Sequence, residues 1–344
     1  MANNFSSNLR ILVGKLESVA GTMETLTSGD FDVRVRAPEL TVTVEVDDEA
    51  SKWANGNHGE DQSITGAQTA QVTFSVKAAT ASAVSAEPKW WKFAKGCGLA
   101  SAVWSTNKGY GLTPKKANDE VTMTLWVYDI QRGGTGDALC TKIAGAMGNM
   151  VLSSEGIGKP WVATFTFTGK VDSVVDVAAA SVPVAGLLDT TCADRLLLDS
   201  VYIDGTAQKI STFSLDTGND IQPVYDQSDA SGISHYGIVS RKPRLSLNPL
   251  MSAASTFDMY SYVHAGATGC PKTFAAHIGD TGANTKYAIM VPKGQVLTAG
   301  QAAREGLAGY EVNMKLLGNG VTGAVSDADL TPEVTFEVLS GTRS

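Results

Sequence analysis

The four histidines are the residues whose side chains could bind a metal ion or move a proton. They are His58, His235, His264 and His277. No pair of them forms an HExxH motif, and none belongs to a closely spaced set of His, Asp and Glu ligands. His58 and His235 each lie near carboxylates in a long polar segment, where solvated side chains are the plainer interpretation and a metal site is the alternative. We predict no metal site and no catalytic histidine.

The cysteines offer a second possible chemistry. Cys97, Cys140, Cys192 and Cys270 are far apart, and no Cys-x-x-Cys pair occurs. This spacing argues against a zinc site and favours buried thiols that act as small hydrophobic side chains over a disulfide. No general base lies beside Cys97 or Cys140 in the sequence, so nucleophilic catalysis has little support. We predict that the protein uses no cofactor.

Two further motifs match binding sites only in part. The Gly-Ile-Gly-Lys sequence at 156–159 lacks the four-residue spacer and the Lys-Ser/Thr ending of a phosphate-binding loop, and a strand pattern follows it. Trp90 and Trp91 could stack on nucleic-acid bases, but at helical spacing such a pair more often packs in a core or an interface. A glycoside hydrolase would need a carboxylate pair in a cleft, and no pair stands out. We predict that the protein is not an enzyme.

The composition narrows the class of protein. The chain has 344 residues, 43% hydrophobic and 18% charged, which is enough for about two domains of roughly 150 residues each. Its 35 glycines, with many Ser, Thr, Ala and Val residues, are typical of an all-β protein with many turns. The net charge of −8 argues against a surface that grips nucleic acid. No apolar run is long enough for a transmembrane helix, and the first residues lack a signal-peptide pattern, so we expect a cytosolic site of synthesis.

The strongest strand pattern occupies residues 156–169. Its apolar residues, which include Trp161, Phe165 and Phe167, alternate with Val and Thr residues. This period of two predicts a half-buried strand. A Gly-Pro turn opens the segment, and Gly169 is expected to close it.

An echo of this strand occurs at residues 309–318. When the glycines that end the two segments are aligned, Tyr310 takes the position of Trp161 and Met314 that of Phe165, and the apolar faces match at every step. The echo predicts that a β domain is duplicated in this chain.

The patterns around these two strands also follow a shared order. Each half is interpreted as a hairpin, a long acidic loop, a strand, a short helix and further strands. In the first half these are the hairpin 31–46, the loop 47–69, the strand 70–77 and the helix 88–98. In the second half they are the hairpin 200–215, the loop 216–237, the strand 243–248 and the helix 255–266. The connection 99–119 is expected to be a loop that only the first half contains.

We therefore predict a mainly β protein with two tandem β-sandwich or barrel domains, each with one short flanking helix and a long loop. The boundary is placed near Val182, in an Ala-rich segment, which gives domains 1–181 and 182–344. The predicted core residues of the strands and helices are Trp90, Phe93, Trp161, Phe165, Phe167, Tyr260, Tyr310 and Met314.

Residues 157–169 resemble a known family signature. In the tail tube (major tail) proteins of long, non-contractile-tailed bacteriophages, a Gly-rich turn leads into a late strand in which two Phe residues alternate before a Gly. The segment Lys15-Leu-Glu-Ser-Val-Ala-Gly-Thr22 is similar to that family's N-terminal segment. The resemblance covers mainly residues 10–170, and the second half joins it through the internal echo.

The resemblance implies a structural virion protein with a β-sandwich-like barrel and one flanking helix. Such subunits form rings, and the rings stack into the tail tube, the conduit for DNA delivery into the host. The implied partners are other copies of the chain, the tape-measure, tail-terminator and distal tail proteins, and phage DNA that passes without sequence-specific binding. The implied location is the phage tail, after assembly in the host bacterial cytoplasm. Two tube-like halves per chain predict homotrimeric rings with pseudo-sixfold symmetry, with a hexamer of chains as the alternative.

The two acidic loops are our candidates for contacts between stacked rings, and solvated exterior loops are the alternative. The candidate contact residues are Asp47, Asp48, Glu49, Trp53, Glu60, Asp61, Asp216, Asp220, Tyr225, Asp226 and Asp229. The polar faces of the hairpins 31–46 and 200–215 are expected to line the lumen, where Arg34 and Arg36 would need carboxylates from a neighbour. A capsid or tail decoration or adhesion module of immunoglobulin-like domains is the alternative function, because it would share the strands and turns.

Overall fold

The structure is a computed structural model, and the residues that it describes form a mainly β protein with two short α-helices. The described residues are 5–47, 64–79, 87–105, 109–114, 120–131, 137–154, 156, 159–187, 198–229, 231–253, 256–264, 272–278, 286–304, 306–317 and 335–339. The prediction of a mainly β fold is confirmed. Neither helix is long and apolar enough to cross a membrane.

The strands and helices are numbered in chain order. In the first half, residues 1–181, they are β1 (Phe5–Leu16), β2 (Arg36–Asp47), β3 (Ile64–Lys77), α1 (Trp91–Lys95), β4 (Leu99–Ser105), β5 (Gly109–Pro114), β6 (Met123–Gln131), β7 (Asp137–Ser154) and β8 (Trp161–Ala178). In the second half they are β9 (Leu198–Ile203), β10 (Thr206–Ala207), β11 (Phe213–Asp216), β12 (Asn219–Tyr225), β13 (Ile233–Arg241), β14 (Arg244–Leu247), α2 (Met259–His264), β15 (Lys272–Ile278), β16 (Lys286–Arg304), β17 (Leu307–Leu316) and β18 (Thr335–Leu339).

The same strand order occurs in both halves of the chain. Six strands of the first half lie side by side in the order β1-β6-β7-β8-β3-β2, and six of the second half in the order β9-β15-β16-β17-β14-β11. Taken along the chain, β1, β2, β3, β6, β7 and β8 therefore correspond to β9, β11, β14, β15, β16 and β17. The short helices also correspond, because α1 follows β3 and α2 follows β14. All the pairings are antiparallel, and β12 and β13 form a separate two-stranded sheet.

The core of the first half forms where the alternating face of β8 meets β3 and α1. Phe165 is fully buried and lies opposite Phe74 of β3 in the strand register. Phe93 of α1 packs on the same ring, with 4.8 Å between the centroids of Phe74 and Phe93. Trp90, Trp161 and Phe167 belong to the same buried cluster. Because burial of a Phe side chain contributes about 1.5–3 kcal/mol, this cluster is a major source of stability.

The second half places its apolar strand face in the same way. Tyr310 and Met314 of β17 are buried, and Met314 lies opposite Leu245 of β14. The helix α2 contributes Met259 to this core. Tyr260, which the sequence placed in the core, is 36% exposed instead. Its ring lies nearly perpendicular to that of Tyr310, with the centroids 5.5 Å apart, so the short helix buries the neighbouring methionine and leaves this tyrosine at the surface.

The predicted hairpin 31–46 is wrong. Residues 31–35 are not in a strand, and β2 runs from Arg36 to Asp47 and pairs with β3. Phe31 is buried against Tyr128 of β6 in a second apolar cluster, with the ring centroids 6.0 Å apart. The alternation around Phe31 therefore reflects packing on a neighbouring strand, and the long connection lies between β2 and β3.

Gly169 does not end its strand, as the sequence had predicted. β8 continues to Ala178 and pairs with β7 along its whole length. Gly169 is buried, and a Cβ at this position would lie 2.6 Å from Cγ2 of Ile143. Glycine is needed here for close packing between strands, which a turn pattern cannot distinguish from a strand end.

The second half departs from prediction between residues 200 and 237. β9 pairs with the short strand β10, but β11 pairs with β14 and β7 instead of completing a hairpin with β9. The predicted loop 216–237 contains most of the β12–β13 hairpin. The acidic residues of this segment had concealed its alternating apolar residues.

The connection 99–119 also contains strands where a loop was expected. β4 and β5 pair with each other, and β5 pairs with β18, which in turn pairs with β16. In the described part of the second half, β15 is the next element after α2. The first half therefore contributes two strands to the sheet of the second half.

Candidate assembly surface

The two halves are joined by direct strand pairing, which we call the β7–β11 junction. Ser214 lies opposite Ser153, and Asp216 lies opposite Val151. β11 is the strand of the second half that corresponds to β2, and β7 is a central strand of the first half. The edge of one repeat is therefore covered by a strand of the other, so the hydrogen-bonding groups at that edge are satisfied.

A polar cluster around Asn149 of β7 fixes this junction. Its amide donates to Oδ1 of Asp216 at 2.9 Å, and its Oδ1 accepts from Oγ1 of Thr217 at 2.7 Å and from the backbone N–H of Asn219 at 2.9 Å. Thr217 is buried and also accepts from the backbone N–H of Met150 at 3.1 Å. Polar groups that are at least half-buried and satisfy one another in this way fix one arrangement of the two strands.

Asn219 extends the cluster to the residues that follow α1 in the first half. Its side-chain amide donates to the carbonyl oxygen of Cys97 at 2.8 Å and to that of Gly148 at 2.9 Å. Both acceptors belong to the first half, so this one residue ties the start of β12 to two separate first-half segments.

The β12–β13 hairpin lies over β7 and β8 of the first half. A small apolar cluster is shared between Met147 of β7, Ala67 of β3, and Ile233 and Tyr236 of β13, all of them buried. At Gly145 the approach is so close that a Cβ would lie 2.9 Å from the Cα of His235. The hairpin therefore packs across the first-half sheet, and we call the β12–β13 hairpin the clamp.

Two ion pairs support the clamp. Nζ of Lys170 in β8 lies 2.6 Å from Oδ2 of Asp229, and the guanidinium of Arg241 lies 3.7 Å from Oε1 of Glu120. The hydrogen bond from Lys170, with those from Ser231, holds the pKa of Asp229 at about 2. Because each pair joins a residue of the first half to one of the second, the pairs contribute to the register of the halves.

The structure separates the predicted acidic residues of the second half. Asp216 lies within the β7–β11 junction, and Asp229 lies in the clamp. Asp220 bonds to Gln222 and Ser240 within the hairpin, and Asp226 caps the turn through Ser228. Tyr225 is 72% exposed at the end of β12. In the first half, Asp47 ends β2, whereas Asp48, Glu49, Trp53, Glu60 and Asp61 lie outside the described residues.

Two further stretches of strand have an edge that pairs with no described strand, although Arg10 of β1 donates to the carbonyl oxygen of Pro38 in β2 at 3.3 Å. β2 pairs with β3 alone in the described part of the chain, and its residues Thr41, Val42, Thr43 and Val44 are all exposed. Residues 295–304 of β16 pair with β17 alone in the same described ranges. These stretches correspond to the two strands that meet in the β7–β11 junction.

Of the groups first considered for chemistry, His58, Cys192 and Cys270 lie outside the described residues. Within the ranges given above, no group of three or more His, Cys, Asp and Glu side chains could hold a metal ion. Burial raises the pKa of the Cys97 thiol, and it raises that of Cys140 to about 11. His235 contacts the neighbouring Ser234 through Nδ1 at 3.1 Å.

Sequence reasoning missed Asn149, Thr217 and Asn219. Polar residues inside or beside a strand carry no periodic signal, and their role appears only when β11 is placed beside β7. No protein-family model matches the chain, and no curated protein matches its sequence.

Proposed function

We propose that this protein is a structural subunit that assembles head to tail into closed rings, and that the rings stack into a tube of the phage-tail type that conducts DNA into the host. The observation that carries this proposal is the β7–β11 junction. It joins two repeats of one strand order through an edge strand and a central strand. The corresponding strands β2 and β16 have uncovered edges among the described residues, β16 over residues 295–304.

An interface that joins different surfaces of two copies is heterologous. Such an interface produces a closed ring when the rotation between copies completes a circle, and a filament when it does not. Two repeats in one chain supply two successive ring positions. Three chains then supply six, which is the homotrimeric ring with pseudo-sixfold symmetry, and a hexamer of chains is the alternative.

The charge of the chain is compatible with a conduit for DNA. Proteins that hold DNA neutralise its phosphates with Lys and Arg side chains, whereas this chain has a net charge of −8. A lumen without a surplus of Lys and Arg side chains would let the duplex pass without sequence-specific binding. The partners of the proposed tube are the tape-measure, tail-terminator and distal tail proteins, and its location is the virion after assembly in the host cytoplasm.

Negative-stain electron microscopy of the full chain at high concentration tests this proposal. We expect rings or tubes with a central hole wide enough for a DNA duplex. The duplex is about 20 Å across, which is wider than its major groove. Single particles without a hole at every protein and salt concentration would contradict the tube and would favour the decoration or adhesion module.

A further inference from the structure

The β7–β11 junction has a counterpart that a single chain does not form. We propose that β2 of one chain pairs with residues 298–300 of β16 in a second copy, in the register that β11 holds on β7. The part of the β2–β3 hairpin that extends beyond this pairing, which we call the outer part, then lies across β16 and β17 of that copy. The β12–β13 hairpin lies across β7 and β8 in the same way. This inference rests on the proposed self-assembly and names the strands and the register that carry it.

The position on β16 follows from the strand ladders. Phe165 of β8 lies opposite Met150 of β7, and Met314 of β17 lies opposite Val296 of β16. Since β8 corresponds to β17, Val296 takes the place of Met150. One residue is bulged between Val296 and Thr298, so residues 298–300 correspond to 151–153, the stretch of β7 that receives β11.

The position on β2 follows in the same way. Phe74 of β3 lies opposite Phe165, and Leu245 of β14 lies opposite Met314, so these two residues correspond. Thr73 and Arg244, the residues that precede them, therefore also correspond. Glu39 of β2 lies opposite Thr73, and Asp216 of β11 lies opposite Arg244. Glu39 therefore takes the place of Asp216, and its expected partner in the second copy is Thr298.

The strand β16, which would receive β2, also has a polar residue at the position equivalent to Asn149. Asn149 lies opposite Thr166 on β8, and Gln295 lies opposite Lys315 on β17. By the correspondence of the two ladders, Gln295 stands where Asn149 holds the β7–β11 junction. An amide of this kind can both donate to and accept from an incoming strand.

The arm that would cross the second copy is the outer part of the β2–β3 hairpin. In the second half the corresponding hairpin is divided at Gly218, where φ is +60°, and its outer part packs on the first half. In the first half β2 continues without a break, and residues 41–44 are exposed on both faces of the strand. Two of these residues are valines, 45% and 41% exposed, so an apolar strand face lies open within one chain.

A pair of cysteine substitutions tests the register. In the chain with Glu39→Cys and Thr298→Cys, mild oxidation should link neighbouring copies into covalent oligomers that end at the full ring, seen as bands on a non-reducing gel. The two positions are not neighbours in one chain, because β3, β8, β7, β11, β14 and β17 lie between their strands. An equal mixture of the two single variants should give covalent dimers and nothing larger.

Two control pairs make the result specific. Val151→Cys with Asp216→Cys sits at the internal junction, so it should form a disulfide within one chain and leave the mass of the band unchanged. Thr43→Cys with Thr298→Cys uses the same two strands out of register and should give no covalent ring. The native cysteines are present in every variant, so the wild-type lane measures their contribution.

The outcomes separate this inference from the proposed function. Rings in the electron microscope without a link between positions 39 and 298, while the internal pair is oxidised, would overturn the strand pairing and leave ring assembly standing. Equal linking by the out-of-register pair would also overturn it. A chain that stays monomeric throughout would contradict both.

Discussion

Asn149 makes polar contacts with three residues of the other half, although it lies in the middle of a strand. Its side chain bonds to Asp216, Thr217 and Asn219. No sequence pattern singles it out, because its partners lie more than sixty positions away in the chain. The junction between the halves therefore depends on one first-half amide that bonds to three residues of the second half.

Replacement of Asn149 by alanine tests that role. The change removes the acceptor of the backbone N–H of Asn219 and leaves the Thr217 hydroxyl only the carbonyl oxygen of Met150, and an unsatisfied polar group inside a protein costs about 1–3 kcal/mol. We expect the free energy of unfolding, measured with urea, to fall by about that amount. Gln222→Ala is the control, since this exposed side chain bonds only to Asp220 and should stay within about 0.5 kcal/mol of the wild type. Equal losses in both variants would contradict the role of Asn149.

The ion pair between Lys170 and Asp229 gives an expectation for pH. The pKa of Asp229 is lowered from 3.8 to about 2, first through the hydrogen bond from Lys170. A carboxylate whose pKa is lowered on folding stabilises the protein above its unfolded pKa, and the contribution is lost as the pH falls towards the folded value. The contribution of Asp229 is therefore present above about pH 4 and lost towards about pH 2.

An NMR titration of the Asp229 carboxyl carbon measures this directly. In Lys170→Met the pKa should rise towards the ordinary value for Asp, because the first cause of the shift is gone. The bonds from Ser231 should keep part of the shift. An unchanged pKa in the variant would show that the ion pair does not form in solution.

At the scale of the element, Gly218 decides what the second-half hairpin does. It has φ of +60°, and it separates β11, which pairs with β7, from β12, which begins the clamp. A Cβ at this position would overlap the backbone carbonyl oxygen of Lys242. The corresponding strand β2 runs without this break, so one glycine distinguishes the hairpin that folds back from the hairpin that extends.

Gly218→Ala should therefore be more destabilising than an alanine at another left-handed glycine. The matched control is Gly205→Ala, which has φ of +74° and no atom within 4 Å of the added Cβ. Both variants carry the conformational cost of about 1–2 kcal/mol, and only Gly218→Ala adds the overlap. Thermal unfolding should show the larger fall in Tm for Gly218→Ala, and an equal fall would contradict the close approach.

The sequence identified elements that have a clear alternating pattern and missed those defined by distant pairing. The apolar face of β8 and its echo in β17 could be predicted from the alternation of apolar residues. These include Trp161 and Phe165 in β8, and Tyr310 and Met314 in β17. The β12–β13 hairpin was interpreted as a loop because its apolar residues are interspersed with acidic turn residues. The pairing of β11 with β7 could not be predicted, since register between strands far apart in sequence leaves no local signal.

At the scale of the whole molecule, the repeated strand order explains why the uncovered edges matter. Exposed edges with Thr and Val residues pair readily with other chains, and natural proteins cover them or block them. In this chain one such edge is covered internally by β11, whereas β2 and the end of β16 are uncovered among the described strands. A closed ring would cover every such edge with the strands that the chain already has.

The number of chains in one particle is the sharpest test of assembly through the sheet edges. Native mass spectrometry of the full chain, at concentrations where particles form, counts the chains in one ring. We expect three, because in the proposed ring each chain would supply two positions and the β7–β11 junction would supply every second contact. A ring of six chains would contradict that count, and a monomer at every concentration would contradict assembly through the sheet edges.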